Sequence, residues 1–165
     1  MMEAITIRTM MARDHAQVLA LNDYSVAVLS PLDDAALAQL ITQSSVHVVV
    51  EVAGQVVAFL LAVGPKSTYE SINYQWFNRH YSTFLYVDRI VVHHDYRAQR
   101  LGHQLYEYLT QWALEQGYPQ LCAEIDIQPP NLASLQFHDK WGFVAVSELA
   151  HNPNKVVSLQ VKSLT

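Results

Sequence analysis

Residues 84–127 hold the pattern that most limits what this chain can fold into. FLYVDRIVV (84–92) is a run of β-branched and aromatic side chains of strand type. HHDYRAQR follows, and then LGHQLYEYLTQWALEQ (101–116), where Leu101, Leu105, Tyr108, Leu109, Trp112 and Ala113 fall on one face at helical spacing. Gly117 and Pro119 end that helix, and LCAEIDI (121–127) reads as a strand again. A strand–helix–strand unit set among further strands and helices requires a mixed α/β or α+β architecture.

The flanking sequence fits that class. Residues 4–9 read as a short strand, and 12–22 and 33–43 as helices, the second announced by Ser30-Pro31 with Asp33 and Asp34 in its first turn. VHVVVEV (46–52) and QVVAFLLAV (55–63) read as strands joined across Ala53-Gly54 in a tight hairpin, so the first half is antiparallel. A helix over 131–141 stops at Gly142, and FVAVSEL and KVVSLQV close the chain as strands. No repeat, linker or biased segment divides residues 1–165, so a single domain is expected. With 51% hydrophobic and 15% charged residues the chain can bury a core. A formal net charge of −5 argues against a general nucleic-acid binder. A single cysteine excludes an intrachain disulfide and fits a reducing compartment. No signal-peptide pattern and no apolar window near the roughly 20 residues of a membrane helix is seen. The expectation is a cytoplasmic protein without membrane association.

The turn from Arg97 to Gly102 poses the functional question. A helix N-terminus presents unpaired N–H groups and the positive end of the helix dipole, and a tight turn before it adds more. Arg97 and Arg100 add charge, and Gly102 lets an anion come near the backbone. A diphosphate is a reasonable ligand. A plain strand-to-helix turn with a solvated basic face is the alternative.

This turn resembles the acetyl-CoA loop of the GNAT acetyltransferase superfamily, Arg/Gln-x-x-Gly-x-Gly/Ala after the fourth strand. Arg97, Gly102 and Leu105 fit, while Arg100 stands where the first glycine belongs. A second resemblance lies in NLASLQFHDKWGF, where Asn131, Ser134, Phe137, Gly142 and Phe143 fit the family's later motif. Together they cover about residues 84–150, and YVDRIVV with EIDIQPPN followed by Phe-His is similar to a subgroup of GNAT enzymes. The resemblance implies a mixed, mostly antiparallel twisted sheet with splayed central parallel strands and flanking helices. It implies acetyl-CoA as co-substrate, with the backbone of Ile90, Val91 and Val92 on the pantetheine arm. Arg97, Ala98, Gln99, Arg100, Leu101, Gly102 and His103 would then hold the diphosphate, with Asn131, Ser134 and Phe137 also on the cofactor side. The reaction implied is acetyl transfer to a primary amine of a small molecule, amino acid or peptide.

Such chemistry needs an ammonium of pKa near ~10 to lose a proton and a thiolate to gain one; a positioned base or acid contributes roughly 10²- to 10⁴-fold. Glu124 and Asp126 share one face of LCAEIDI with Cys122, roughly 6–7 Å apart, while Leu121, Ala123, Ile125 and Ile127 form the other face. Like charges on a partly buried face favour a base that works near neutral pH. Asp88 is a second candidate base: it stands in an apolar strand, and strand alternation points its neighbour Arg89 to the opposite face. The alternative for each carboxylate is a structural hydrogen bond. His138 occupies the place where the family has a tyrosine that protonates the departing thiol; a histidine can serve there or simply pack. Cys122 reads as a nucleophile or, more plainly, as a packed core thiol.

For the acceptor, residues 67–81 carry Tyr74, Trp76 and Phe77 and read either as an aromatic lid or as an extra helix on the sheet. Asn22, Tyr24 and Tyr86 are further acceptor-side candidates. His93-His94-Asp95 invites a metal, but adjacent histidines in an extended segment diverge, and none of the eight histidines shows a ligand spacing, so no metal is expected. Two other readings stay open: a non-catalytic acyl-CoA-binding module acting as a sensor or regulatory subunit, and a protein binding another diphosphate nucleotide. A monomer and a homodimer are both compatible with the sequence.

Overall fold

The computed structural model describes residues 4–25 and 30–165. They form seven strands and five α-helices, packed as two compact units, Met1–Val63 with Val87–Gln111 and Gly64–Tyr86 with Trp112–Thr165. The mixed, mostly antiparallel seven-stranded sheet with flanking helices agrees with the fold expected from the sequence.

The first unit holds β1 (Ile5–Thr9), β2 (Val46–Val52), β3 (Gln55–Val63) and most of β4 (Leu85–Val92), hydrogen-bonded in that order. β1 and β3 both run antiparallel to β2. The turn from β2 to β3 takes two residues, with φ of 50° at Ala53 and 79° at Gly54. Two positive φ values make the turn whose twist matches that of the strands it joins, so the hairpin expected at Ala53-Gly54 is present. Every residue of β3 from Val56 to Val63 is buried, so both of its faces are covered. Helix α1 (His15–Asp23) packs on β3 with Val18 and Leu21 inward. Helix α2 (Asp34–Gln43) starts one residue later than the sequence suggested, because the Asp33 carboxylate accepts from the Ala36 amide at 2.8 Å and so stands before the first turn. Arg8 on β1 fastens the approach to α1 through two bonds to Asp14, 2.7 and 2.9 Å, and reaches Glu51 on β2 at 3.3 Å.

The second unit is built around β5 (Gln120–Gln128). β5 pairs in parallel with the first residues of β4, Leu85 with Leu121 and Tyr86 with Cys122. On its other side it runs antiparallel to β7 (Lys155–Ser163), which in turn carries the edge strand β6 (Val144–Asn152). Helix α4 (Leu101–Glu115), which belongs to the first unit as far as Gln111, precedes β5 in the chain and buries Leu101, Leu105, Leu109 and Ala113 at the expected spacing. Helix α5 (Leu132–Trp141) ends at Gly142, whose φ of 92° suits a residue without Cβ.

Residues 67–81 decide between the two readings given above. They form helix α3 (Ile72–His80), capped by Ser71, with Tyr74 and Phe77 fully buried. The Tyr74 hydroxyl donates to the Gly64 carbonyl at 2.6 Å. Among the described residues no helix is long and apolar enough to cross a membrane.

Candidate active site

In the first unit, β4 gives way to a 3₁₀ turn over His94–Gln99, fixed at its start by the His93 amide donating to the Val57 carbonyl at 2.8 Å. Arg100 then adopts the left-handed conformation, φ 58° and ψ 33°, and α4 begins at Leu101. Right-handed residues followed by a left-handed one turn successive N–H groups to one side, a geometry that accepts anions, and the N-terminal amides of α4 add to it. Arg97, Ala98, Gln99 and Arg100 are exposed, Gly102 and His103 half-buried, and Leu101 is the buried anchor. His103 contacts Glu107 one turn on at 2.6 Å.

In the second unit, strand register explains the carboxylate site. Tyr86 is the parallel partner of Cys122, so the two side chains share a face, and Glu124 is the next residue on that face of β5. The Tyr86 hydroxyl donates to Glu124 Oε2 at 2.6 Å. The Tyr86 ring is fully buried, with its centroid 5.7 Å from those of Tyr74 and Phe77. Tyr74, Phe77 and Tyr86 were candidate acceptor contacts; their rings are core, because packing an aromatic helix on the sheet removes more apolar surface from water than a lid would. Trp76 is half-buried and stacks on His80 at 3.9 Å. Asp126 lies further along β5, where its charge raises the pKa of His151; burial and Lys155 act in the opposite direction and leave that histidine below its ordinary range. His151 meets Asn73 Oδ1 at 2.9 Å, a contact with no signature in the sequence. Cys122 is fully buried and burial pushes its thiol far up, so it is a core residue and not a nucleophile at neutral pH.

Asp88 requires a correction. Its carboxylate has a partner: Arg89 Nε donates to Asp88 Oδ2 at 2.7 Å, with both side chains buried. Strand alternation fixes where Cβ points, but a guanidinium lies far enough beyond Cβ to curl back to its neighbour. Arg89 Nη1 also donates to Asn22 Oδ1 and to the Ser30 carbonyl, each at 3.0 Å, and Asn22 Nδ2 donates to the same carbonyl at 3.1 Å. Asn22, a candidate acceptor contact, is therefore a fully buried tie within this network. Tyr24 is 70% exposed and sets its ring edge against His93 and His94. Those two histidines do not diverge as the sequence implied. Their rings stack with centroids 4.4 Å apart, because alternation ends where the chain turns at His93, and with Asp95 their donor atoms lie within 4.8 Å of one another. One lone pair, His93 Nδ1, already accepts from the Asp95 amide.

On α5, Asn131 Oδ1 accepts from the Ser134 amide at 3.2 Å and so caps the helix. Ser134 and Phe137 are half-buried. His138 is buried, with its ring edge-on to Phe143, and its Nδ1 lies 2.8 Å from the Ser134 carbonyl. A carbonyl only accepts, so Nδ1 carries a proton, and a neutral ring of that form has an accepting lone pair at Nε2. Burial pushes His138 below the usual histidine range, against the carbonyl bond that favours the charged form.

The model of the acetyltransferase (GNAT) family matches residues 14–143, most of the chain. The chain belongs to the GNAT acetyltransferase family. By sequence alone no curated protein matches it. Among solved structures it is similar to Ard1 from Thermoplasma volcanium, at 21% identity and a TM-score of 0.77 over 97% of each chain. Naa50 of Arabidopsis thaliana, in complex with the bisubstrate analogue CoA-Ac-MVNAL, aligns at 15% identity and a TM-score of 0.72 over 96% of this chain and 98% of that one. YncA from Salmonella typhimurium, with its cofactor acetyl-CoA, aligns at 20% identity and a TM-score of 0.71 over 98% and 95%. At these identities the likeness is one of fold.

The GNAT match takes in the turn after β4, strand β5 and helix α5 as far as Phe143, and stops short of β6. In GNAT terms the departure at Arg100 has a physical reading. The position is left-handed, so glycine fits it without strain, and an arginine there carries a steric cost of roughly 1–2 kcal/mol.

Proposed function

We propose that this chain is an N-acetyltransferase that moves the acetyl group of acetyl-CoA to a primary amine of a small molecule, amino acid or peptide. The observation that carries the reading is Glu124, a half-buried carboxylate on β5 held in place by the Tyr86 hydroxyl. Glu124 is the base: it takes a proton from the acceptor ammonium, directly or through one water. The freed nitrogen forms a bond to the acetyl carbon, the carbon–sulfur bond breaks, and the second proton shed by the acylated nitrogen goes to the CoA thiolate, which leaves as the thiol. The amides from Arg97 to His103 hold the diphosphate, Arg97 and Arg100 add positive charge, and the backbone of Ile90, Val91 and Val92 together with Asn131, Ser134 and Phe137 serves the rest of the cofactor. Asp88, paired with Arg89, is a support for Asn22 and Ser30 in this reading, not the base. His138 in its neutral form presents a lone pair rather than a proton at Nε2, which suits holding a donor group better than protonating a thiolate. Exposed Tyr24 and half-buried Trp76 are the acceptor-side contacts that remain. Replacing Glu124 by Gln keeps size and hydrogen-bonding capacity but removes the base. It should lower kcat/KM for release of free CoA at neutral pH by roughly 10²-fold or more while acetyl-CoA affinity stays near wild type. An unchanged rate removes Glu124 from the reaction. Tight acetyl-CoA binding without turnover across a broad amine set supports the regulatory module instead.

A further inference from the structure

We infer that Tyr86 is the positioning residue of the carboxylate site, its hydroxyl both orienting Glu124 and holding it in the ionised form. A buried phenol must find a polar partner, and this hydroxyl donates to Glu124 Oε2 at 2.6 Å. That separation lies in the range of an O–H donating to an ionised carboxylate, shorter than an ordinary hydroxyl bond. The donor cannot wander. Its ring is fully buried, wedged against Tyr74 and Phe77 of α3, and its backbone is fixed opposite Cys122 by strand pairing. The core of the second unit, assembled by a helix that adds an aromatic face to the sheet, therefore sets where Glu124 points.

Glu124 has further neighbours on β5 and β7. Along its own strand the same face carries Cys122, neutral and buried, and Asp126, whose charge bears on His151. Opposite it on β7 stands Leu159, with Val157 and Val161 on either side along the same face, all apolar. From α3, Tyr74 reaches the Tyr86 ring. The Tyr86 hydroxyl favours the charged carboxylate, since a donor to the charged form lowers proton affinity. The catalytic consequence rests on the acetyl-transfer reading above; the bond and its effect on the titration of Glu124 do not.

The test is a carbon-13 NMR titration of protein labelled at glutamate Cδ, with the Glu124 resonance identified by its loss in Glu124→Gln. Tyr86→Phe keeps the buried ring and removes only the hydroxyl, so the Glu124 midpoint should rise by about one pH unit. If that variant fails to fold, 3-fluorotyrosine placed at position 86, a more acidic phenol and a stronger donor, should lower the midpoint relative to tyrosine. A midpoint that stays put or moves the other way in either protein overturns the inference. The two ideas fail separately: a shifted midpoint with an active Glu124→Gln protein would end Glu124's part as the base and leave the Tyr86 bond standing. An unshifted midpoint with an inactive Glu124→Gln protein would do the reverse.

Discussion

Replacing Asp88 by Leu tests whether the buried pair on β4 is a support or a catalytic group. Asp88 and Arg89 are 8% and 6% exposed and bonded at 2.7 Å, so removing the carboxylate takes a charged partner from a buried guanidinium that also donates to the neutral oxygens of Asn22 and Ser30. Breaking a buried pair by deleting one partner costs about 3–5 kcal/mol. For 165 residues, an unfolding entropy of about 2.1 cal/mol/K per residue amounts to about 0.35 kcal/mol/K, so the melting temperature should fall by about 9–14 °C. Removing both charges, Asp88→Leu with Arg89→Met, leaves no uncompensated ion, and the Asn22–Ser30 bond survives. The double variant should recover most of the loss. Scanning calorimetry of the two single variants and the double reads all three values. The reasoning fails if Asp88→Leu melts within a degree or two of wild type, or if the double variant melts below the worse single. A catalytic Asp88 would give the opposite pattern, loss of CoA release with the melting temperature kept.

Gly102→Val puts a branched side chain where the turn brings backbone amides toward a diphosphate, and should weaken CoA by about 2 kcal/mol or more in calorimetric titration; unchanged binding would remove the diphosphate site. Arg100→Gly relaxes the left-handed residue before α4, so it should leave CoA binding within about tenfold of wild type and raise the melting temperature slightly. Arg100→Glu should weaken binding, most of all at low salt, where charges are least screened. His138 has a folded-state pKa below its ordinary 6.5, so its neutral form is fully accommodated above that pH and stability is lost as pH falls through the folded value, where the unfolded chain binds the proton more readily. His138→Phe should therefore flatten the fall in urea midpoint between pH 7.5 and 5, leaving the part due to His47 and His151, which burial also lowers.

Much of the architecture was legible because periodicity and turn chemistry are local. β2 and β3 fall on the predicted bounds, since alternating β-branched runs on either side of Ala53-Gly54 leave the pairing register little freedom. α4 matches within one residue because its apolar face is continuous. What the sequence hid depends on reach and on partners from elsewhere in the chain. Parity along β4 separated Asp88 from Arg89, yet a guanidinium can fold back past its own backbone, and Asn22 and the Ser30 carbonyl come from a distant segment. The Tyr86–Glu124 bond spans 38 residues, and only the register of β4 on β5 makes it visible. The aromatic stretch before β4 was ambiguous for a different reason: its residues suit a lid and a packed helix equally, and tertiary burial of Tyr74 and Phe77 settles the choice.

The burial of Cys122 also bears on how the chain can be assayed. A reagent that colours on meeting a thiolate finds nothing to react with in the native protein, whose single sulfhydryl lies deep in the β5 layer with its proton firmly held. If the proposed transfer takes place, the thiol counted in a reaction mixture comes from CoA and not from the enzyme, so the reaction can be followed continuously without subtracting the protein. On unfolding, one equivalent per chain should become reactive, and in the absence of acetyl-CoA the same colour then reports loss of the fold.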